Sequence, residues 1–421
     1  MVHKRLFFGW WVLFGIFISY IALVGVQVYT LPLFYPELIR EFGWSTEAVT
    51  LGATIFFLTG ACITPFVSPL FDRFSTRAFM IAGGAATVCA LFGYSALQTL
   101  LQMTLIYIVL ALSQVCAGQV PTMMVVARWF NRYRGIAFGI TLIGPDLGGA
   151  IFPLIVRPYL VSGEWRQALF LLMIISGIMM LVPMIFLIRN RPEERGLRPD
   201  GDPVPEKGEN ILHTEARQDG PTLRDAIRTP AFYILAFTTG SLWFCMNGIV
   251  QHQTIFMSEE LGLSMETIPV IVSSLFWFAI AGKILIGYLS DHFNKILMML
   301  IVIVLLIAGL SILRVASADN MWTLYGYAAV FGVGYSGTFT MIQLVIAEFY
   351  FGKSYGKILG ILTMFDVGAG GLAITVVARM QGFFKSYLPV LEFLIGLTCV
   401  VAVLVLWLYW MRRKTSQGQP L

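Results

Sequence analysis

Twelve stretches of predominantly apolar residues recur along the chain, each close to the roughly 20 residues that a helix needs to cross a bilayer. They run approximately 7–34, 47–70, 78–97, 101–126, 135–156, 167–188, 231–256, 267–289, 295–315, 321–347, 357–378 and 388–410. No other feature limits the fold so sharply. Hydrocarbon offers the backbone no hydrogen-bond partner, so a spanning segment must satisfy its own N–H and C=O groups, as a helix does. The predicted class is an all-α membrane protein, with twelve transmembrane helices in two pseudo-symmetric six-helix bundles. Composition agrees, because 58% of the 421 residues are hydrophobic and 12% are charged, a surplus that a water-soluble core cannot hide. The first run follows a positive MVHKR start but exceeds the ~7–15 apolar residues of a signal peptide, so it is expected to be retained.

The formal net charge of +5 is dispersed among the spans and forms no basic tract, which argues against a nucleic-acid partner. Of the 28 Lys and Arg, 21 fall on the side that carries both termini and six on the other, with Lys283 inside a span. The positive-inside rule then places both termini in the cytoplasm, and a multi-pass plasma-membrane protein is expected. The polar interval 189–230 reads as a solvated cytoplasmic loop between an N-terminal bundle, 1–188, and a C-terminal bundle, 231–421, with a short tail. The halves echo each other: Asp72 and Asp291 close the second span of each half. ARWFNRYRGIAFGI at 127–140 has its counterpart in AEFYFGKSYGKILGI at 347–361. Such duplication marks alternating-access carriers.

The five cysteines lie singly in apolar runs, without Cys-x-x-Cys or a histidine at ligand spacing, so no metal and no cofactor is expected. An ATP-binding Gly-x-x-x-x-Gly-Lys-Ser/Thr motif is absent, which leaves an ion or substrate gradient as the energy source. Gly334-Tyr335-Ser336-Gly337 reads as the Gly-x-Ser-Gly of an intramembrane serine protease. That chemistry needs a histidine on a later span, and none follows His292.

Lys283, Asp366 and Asp146 each stand alone in a long apolar run, where a lone charge costs roughly 2.5–3.5 kcal/mol on insertion scales. Counting 1.5 Å per residue from the helix ends puts Asp366 ~14 Å deep, Asp146 ~16 Å and Lys283 ~9 Å. Lys283 is read as the hook for a substrate carboxylate, against an alternative in which its ammonium snorkels to headgroups. Asp366 either takes up a proton or pairs with a charge, or else makes a fixed interhelical hydrogen bond. Asp146, between Pro145 and a Gly-Gly pair, has the same functional reading and the alternative of marking a kink. Tyr29, Gln119, Tyr335 and His252 are candidate substrate contacts, although His252 equally suits a hydrogen bond in the outer vestibule. Gln27, Thr122 and Gln343 are further neutral donors. Asp72, Arg73, Arg128, Asp291 and Glu348, at cytoplasmic helix ends, are read as gating residues.

GWWVLFGIFISY, YTLPLFYPELIREFGWS, ARWFNRYRGIAFGI and AEFYFGKSYGKILG together resemble the major facilitator superfamily across nearly the whole chain. Within it they resemble the branch of monocarboxylate porters and oxalate/formate-type exchangers. The superfamily's loop 2–3 signature survives as Asp72, Arg73 and Arg77, with Ser68 and Ser75 in place of glycines. The resemblance implies transport of a small organic anion, with a proton or against a counter-anion. It puts Lys283 at the branch's basic position in span eight and Asp366 at its acidic position in span eleven. Ala279 and Tyr29 stand where animal members carry an acid and a lysine, so their coupling scheme does not carry over. The remaining rivals are a carrier for a dicarboxylate or drug and a sensor that binds a carboxylate without moving it. No obligate protein partner can be named from the residues.

Overall fold

The computed structural model describes residues 7–201, 222–350 and 355–416, with side chains for all of these except 72, 355, 356 and 411–416. Among the described residues twelve helices are long and apolar enough to cross a membrane. They are α1 Phe8–Phe42, α2 Thr46–Val67, α3 Thr76–Ser95, α4 Leu100–Trp129, α5 Arg134–Val161 and α6 Trp165–Phe186. The second six are α7 Pro230–Glu260, α8 Ile268–His292, α9 Lys295–Arg314, α10 Met321–Tyr350, α11 Lys357–Phe384 and α12 Leu388–Trp410. Each matches a predicted span. The largest difference is α1, which continues past 34 to Phe42 through a π-helical turn at Gly25–Thr30 and a 3-10 turn at Leu31–Phe34. Its last two turns carry the paired Glu37 and Arg40, which a hydropathy window rejects.

Two compact units emerge. One gathers Met1–Phe34 and Thr59–Thr214, the other Tyr35–Leu58 and Glu215–Leu421. The second unit therefore includes a segment that sequence order assigns to the first repeat. Within the first unit α1 packs on α5 and α6, and α3 on α4 and α6. Within the second, α7 packs on α11 and α12, and α9 on α10 and α12, the same pairings six helices later. The internal duplication read from the chain is thus a repeat of packing.

Lipid tails are as apolar as leucine, so helices in a membrane associate through close packing rather than hydrophobic exclusion. Glycine supplies the closest approach. A Cβ on Gly148 of α5 would lie 2.6 Å from Gly25 Cα of α1, and one on Gly282 of α8 would lie 2.7 Å from Val333 Cα of α10. These are backbone-to-backbone crossings that any side chain would wedge apart. In α4 the helix breaks at Gly118, whose φ of −80° and ψ of −144° separate Leu100–Ala117 from Gln119–Trp129. Pro121, lacking an N–H, follows within the first turn of the second piece.

The polar interval expected as solvated chain begins differently. Asp200, at φ 59°, accepts the backbone N–H groups of Asn131 at 2.9 Å and Arg132 at 2.6 Å, just before α5 begins. Arg195 lies 4.0 Å over the Phe8 ring, Trp129 donates to the Arg189 carbonyl at 2.9 Å, and the Arg77 N–H donates to Asn190 at 2.7 Å. Arg189 bends back onto the carbonyls of Ile185 and Ile188; burial, with Arg77 and Arg195 nearby, holds its guanidinium below the usual arginine range. Residues 189–201 are therefore a strap on the end of the first unit where the chain starts. Among its described charges, Arg189, Arg195 and Asp200 have local partners.

Candidate functional site

In the second unit, Thr239, Trp243, Asn247 and Gln251 repeat every four residues along α7 and so form one stripe of its surface. Thr239 and Asp366 are both buried, at 0% and 1% exposure, and the Thr239 hydroxyl lies 2.7 Å from Asp366 Oδ1 on α11. The same hydroxyl lies 2.9 Å from the Leu235 carbonyl. One turn along, Trp243 meets Phe339 of α10 edge to face, with ring centroids 6.0 Å apart. The Lys283 ammonium of α8 stands 5.4 Å from the Phe339 centroid, within cation–π range. Helices α7, α8, α10 and α11 thus contribute to two contacts on successive turns of α7, a carboxyl with a hydroxyl and an aromatic pair with an ammonium.

Asp366 takes its hydrogen bond from Thr239, and among the described residues no ion pair joins it to Lys283. Lys283 is half-buried beside Gly282, the residue that seats α8 on α10. Tyr335 lies one turn before Phe339 on α10, half-buried, stacked on Phe331 and edge-on to Phe276. It shares the helix face of the cluster.

His252 stands apart. It is 1% exposed, with Nδ1 2.9 Å from the Tyr387 hydroxyl and Nε2 2.9 Å from the Ile374 carbonyl. Both ring nitrogens are engaged in joining α7 to α11 and to the start of α12. Its neighbours fan outward: Gln251 accepts from Tyr35 at 3.4 Å, and Gln253 accepts from Tyr327 of α10 at 2.8 Å. Nearby, Thr54 and Thr375 hydroxyls lie 2.9 Å apart and Arg379 pairs with Glu47 at 2.8 Å, binding α2 to α11.

The first unit holds the other expected residues. Asp146, 2% exposed, sits on α5 between Gly144 and Gly148, both of which approach α1. Tyr29 is half-buried in the π-helical turn of α1, and Gln119 is exposed at the first residue after the break in α4. Gln27 is committed to its own bundle, donating to Thr87 at 2.9 Å within a knot completed by Ser113.

At the helix ends, Arg128 donates to the Thr76 hydroxyl at 2.9 Å and the Phe71 carbonyl at 3.3 Å, and Glu348 pairs with Lys295 at 2.8 Å. Arg73 and Asp291 are exposed. The side chain of Asp72 lies outside the described residues. Thr239, Trp243, Asn247 and Phe339 were not among the expected site residues; the first three had one sequence signal, their four-residue spacing along α7, and Phe339 had none.

The twelve long apolar helices among the described residues, in two units with repeated pairings, are those of a polytopic membrane protein. The model of the Major Facilitator Superfamily matches residues 12–373 and 252–421, and the chain belongs to that family. It is 23% identical over 376 residues to "MFS transporter asaE" of Aspergillus flavus, covering 88% of this chain and 76% of that one. It is 28% identical over 270 residues to "Membrane sensor protein UhpC" of Escherichia coli, covering 61% of this chain and 59% of that protein's length. Among solved structures, a variant of the nucleoside transporter NupG superposes with a TM-score of 0.72 at 13% identity, covering 95% of this chain and 99% of NupG. That likeness is one of fold.

Proposed function

We propose that the protein is a secondary active transporter of a small organic anion, a monocarboxylate best fitting the site, working by proton symport or anion exchange through alternating access. The observation that carries this reading is the Lys283 ammonium over the Phe339 ring, which Trp243 meets edge to face, while the Asp366 carboxyl takes a hydrogen bond from Thr239. A cation beside aromatic faces offers a carboxylate a charge partner and its short apolar tail a contact surface. The relatives named above do not single out a monocarboxylate; that finer assignment rests on Lys283 and on the branch resemblance. The excess of Lys and Arg on one side supports both termini in the cytoplasm.

The Thr239 contact suits a carboxyl that changes protonation state. A hydroxyl has one proton and two lone pairs. With Asp366 ionised, Thr239 donates to it; with Asp366 neutral, the acid donates to Thr239, which turns its own proton to the Leu235 carbonyl 2.9 Å away. Both states leave the buried groups bonded, so neither carries the ~1–3 kcal/mol penalty of an unmade bond. That is what a proton-coupling residue requires.

The test is uptake of labelled lactate, pyruvate, oxalate, formate and larger dicarboxylates into proteoliposomes, with and without a pH gradient. Saturable accumulation of a carboxylate supports the carrier, and transport of neutral solutes alone sinks the anion assignment. One second reading has a specific observation in its favour, the similarity to a protein named a membrane sensor. Ligand-dependent thermal stabilisation without flux would favour it.

A further inference from the structure

A shallow cleft of about 480 Å³ opens on the first unit, lined by Ser95 at the end of α3, Tyr159 near the end of α5, and Arg166, Gln167, Phe170, Leu171 and Ile174 on α6. It shares no residue with the Lys283 and Asp366 cluster. We propose that it is a binding site for one anionic phospholipid, with the phosphodiester at Arg166 and an acyl chain along α6.

The lining is sorted by depth. Ser95, Tyr159, Arg166 and Gln167, all polar, cluster where α3 and α5 end and α6 begins, while Phe170, Leu171 and Ile174 continue inward. Ile174 is eight residues past Arg166, ~12 Å along the axis, a length that accommodates the upper part of an acyl chain. Phe170 is 48% and Ile174 42% exposed, on helices whose surroundings are hydrocarbon, so the groove's occupant is drawn from the bilayer. Arg166 supplies the charge complementarity. Its guanidinium stacks 4.2 Å over the Trp165 ring, and Nη2 donates to the Leu97 carbonyl at 3.3 Å, contacts that hold the group at the mouth of the cleft. A guanidinium recognises a phosphate through paired N–H donors, whereas a zwitterionic headgroup offers the same phosphate with a compensating cation attached. Phosphatidylglycerol, which lacks that cation, is therefore the probe.

The purified full chain, reconstituted in nanodiscs of phosphatidylcholine with graded phosphatidylglycerol, is to be titrated by native mass spectrometry and thermal shift. One anionic lipid is expected to be retained in about fivefold preference over phosphatidylcholine, the worth of one arginine at a membrane surface. Arg166→Gln is expected to erase that preference, and Arg166→Lys to keep part of it. Ile174→Trp, which fills the groove and leaves the charge, covers the case in which Arg166→Gln fails to fold; it is expected to reduce retention of the anionic lipid. Equal retention of the two lipids, or an undiminished preference in both Arg166→Gln and Ile174→Trp, overturns the proposal. An equal shift from inorganic phosphate or glycerol 3-phosphate without chains also overturns it, by identifying a free-anion site.

Discussion

Arg128 and Glu348 hold matching stations in the two repeats with opposite charge. Arg128, at the end of α4, bonds the Thr76 hydroxyl at the start of α3, and Glu348, at the end of α10, bonds the Lys295 ammonium at the start of α9. Each fastens the fourth helix of its half to the third, immediately after a capped helix start, Ser75 accepting from Ala78 and Asn294 from Ile296 and Leu297. The repeat has kept the fastening while exchanging a hydroxyl for an ammonium and a guanidinium for a carboxylate.

The Glu348–Lys295 pair is about one-third exposed on each side, so its static worth is small. A double-mutant cycle of Glu348→Gln and Lys295→Met, read by thermal unfolding, is expected to give a coupling below about 1 kcal/mol. A coupling of several kcal/mol would contradict the exposure.

Lys283→Gln is expected to abolish carboxylate uptake while leaving expression and thermal stability near wild type. Phe339→Leu is expected to raise KM by roughly 3- to 30-fold, the range of one partly desolvated cation–π contact. Wild-type uptake kinetics in Lys283→Gln would remove this residue from the site.

Asp366→Asn and Thr239→Val probe the coupling pair. Uptake driven by a pH gradient is expected to fall sharply in Asp366→Asn, with equilibrium exchange of labelled substrate less affected. Thr239→Val, which removes the switching hydroxyl, is expected to cost ~1–3 kcal/mol of stability and shift the pH profile of uptake. Equal loss of exchange and driven uptake in Asp366→Asn would reassign it to structure.

Glycines divide into those with and without neighbours. Gly148→Val, aimed at the α1 backbone, is expected to destabilise the first unit by roughly 1–3 kcal/mol or more. Gly139→Ala, where a Cβ meets nothing within 4 Å, is expected to leave the melting temperature within a degree or two. Matching shifts for the two would refute the crossing geometry.

Hydropathy alone made the twelve spans legible, because each had to exceed the hydrocarbon thickness. Lys283 and Asp366 were legible because a charge in an apolar run is conspicuous. Thr239, Trp243 and Phe339 were not, since a threonine or an aromatic in a membrane helix is common and gains meaning only when α10 and α11 bring Phe339 and Asp366 alongside. The roles of His252 depended on Ile374 and Tyr387, more than a hundred positions later. The strap at 189–201 was hidden for the opposite reason: a composition rich in Pro, Gly and charge resembles solvated chain even where Arg189, Arg195 and Asp200 fold back onto the helix ends.

Gln251, His252 and Gln253 are consecutive, so their side chains leave α7 about 100° apart, and each is bonded to a different neighbour. A rod gripped from three directions at one station cannot swivel about its long axis without breaking all three grips together. Movement as one body with α10 and α11 keeps the two that join it to those helices. The azimuth of α7 is therefore a fixed quantity, and the stripe that presents Thr239 to Asp366 and Trp243 to Phe339 keeps its aim through any rigid displacement the bundle makes.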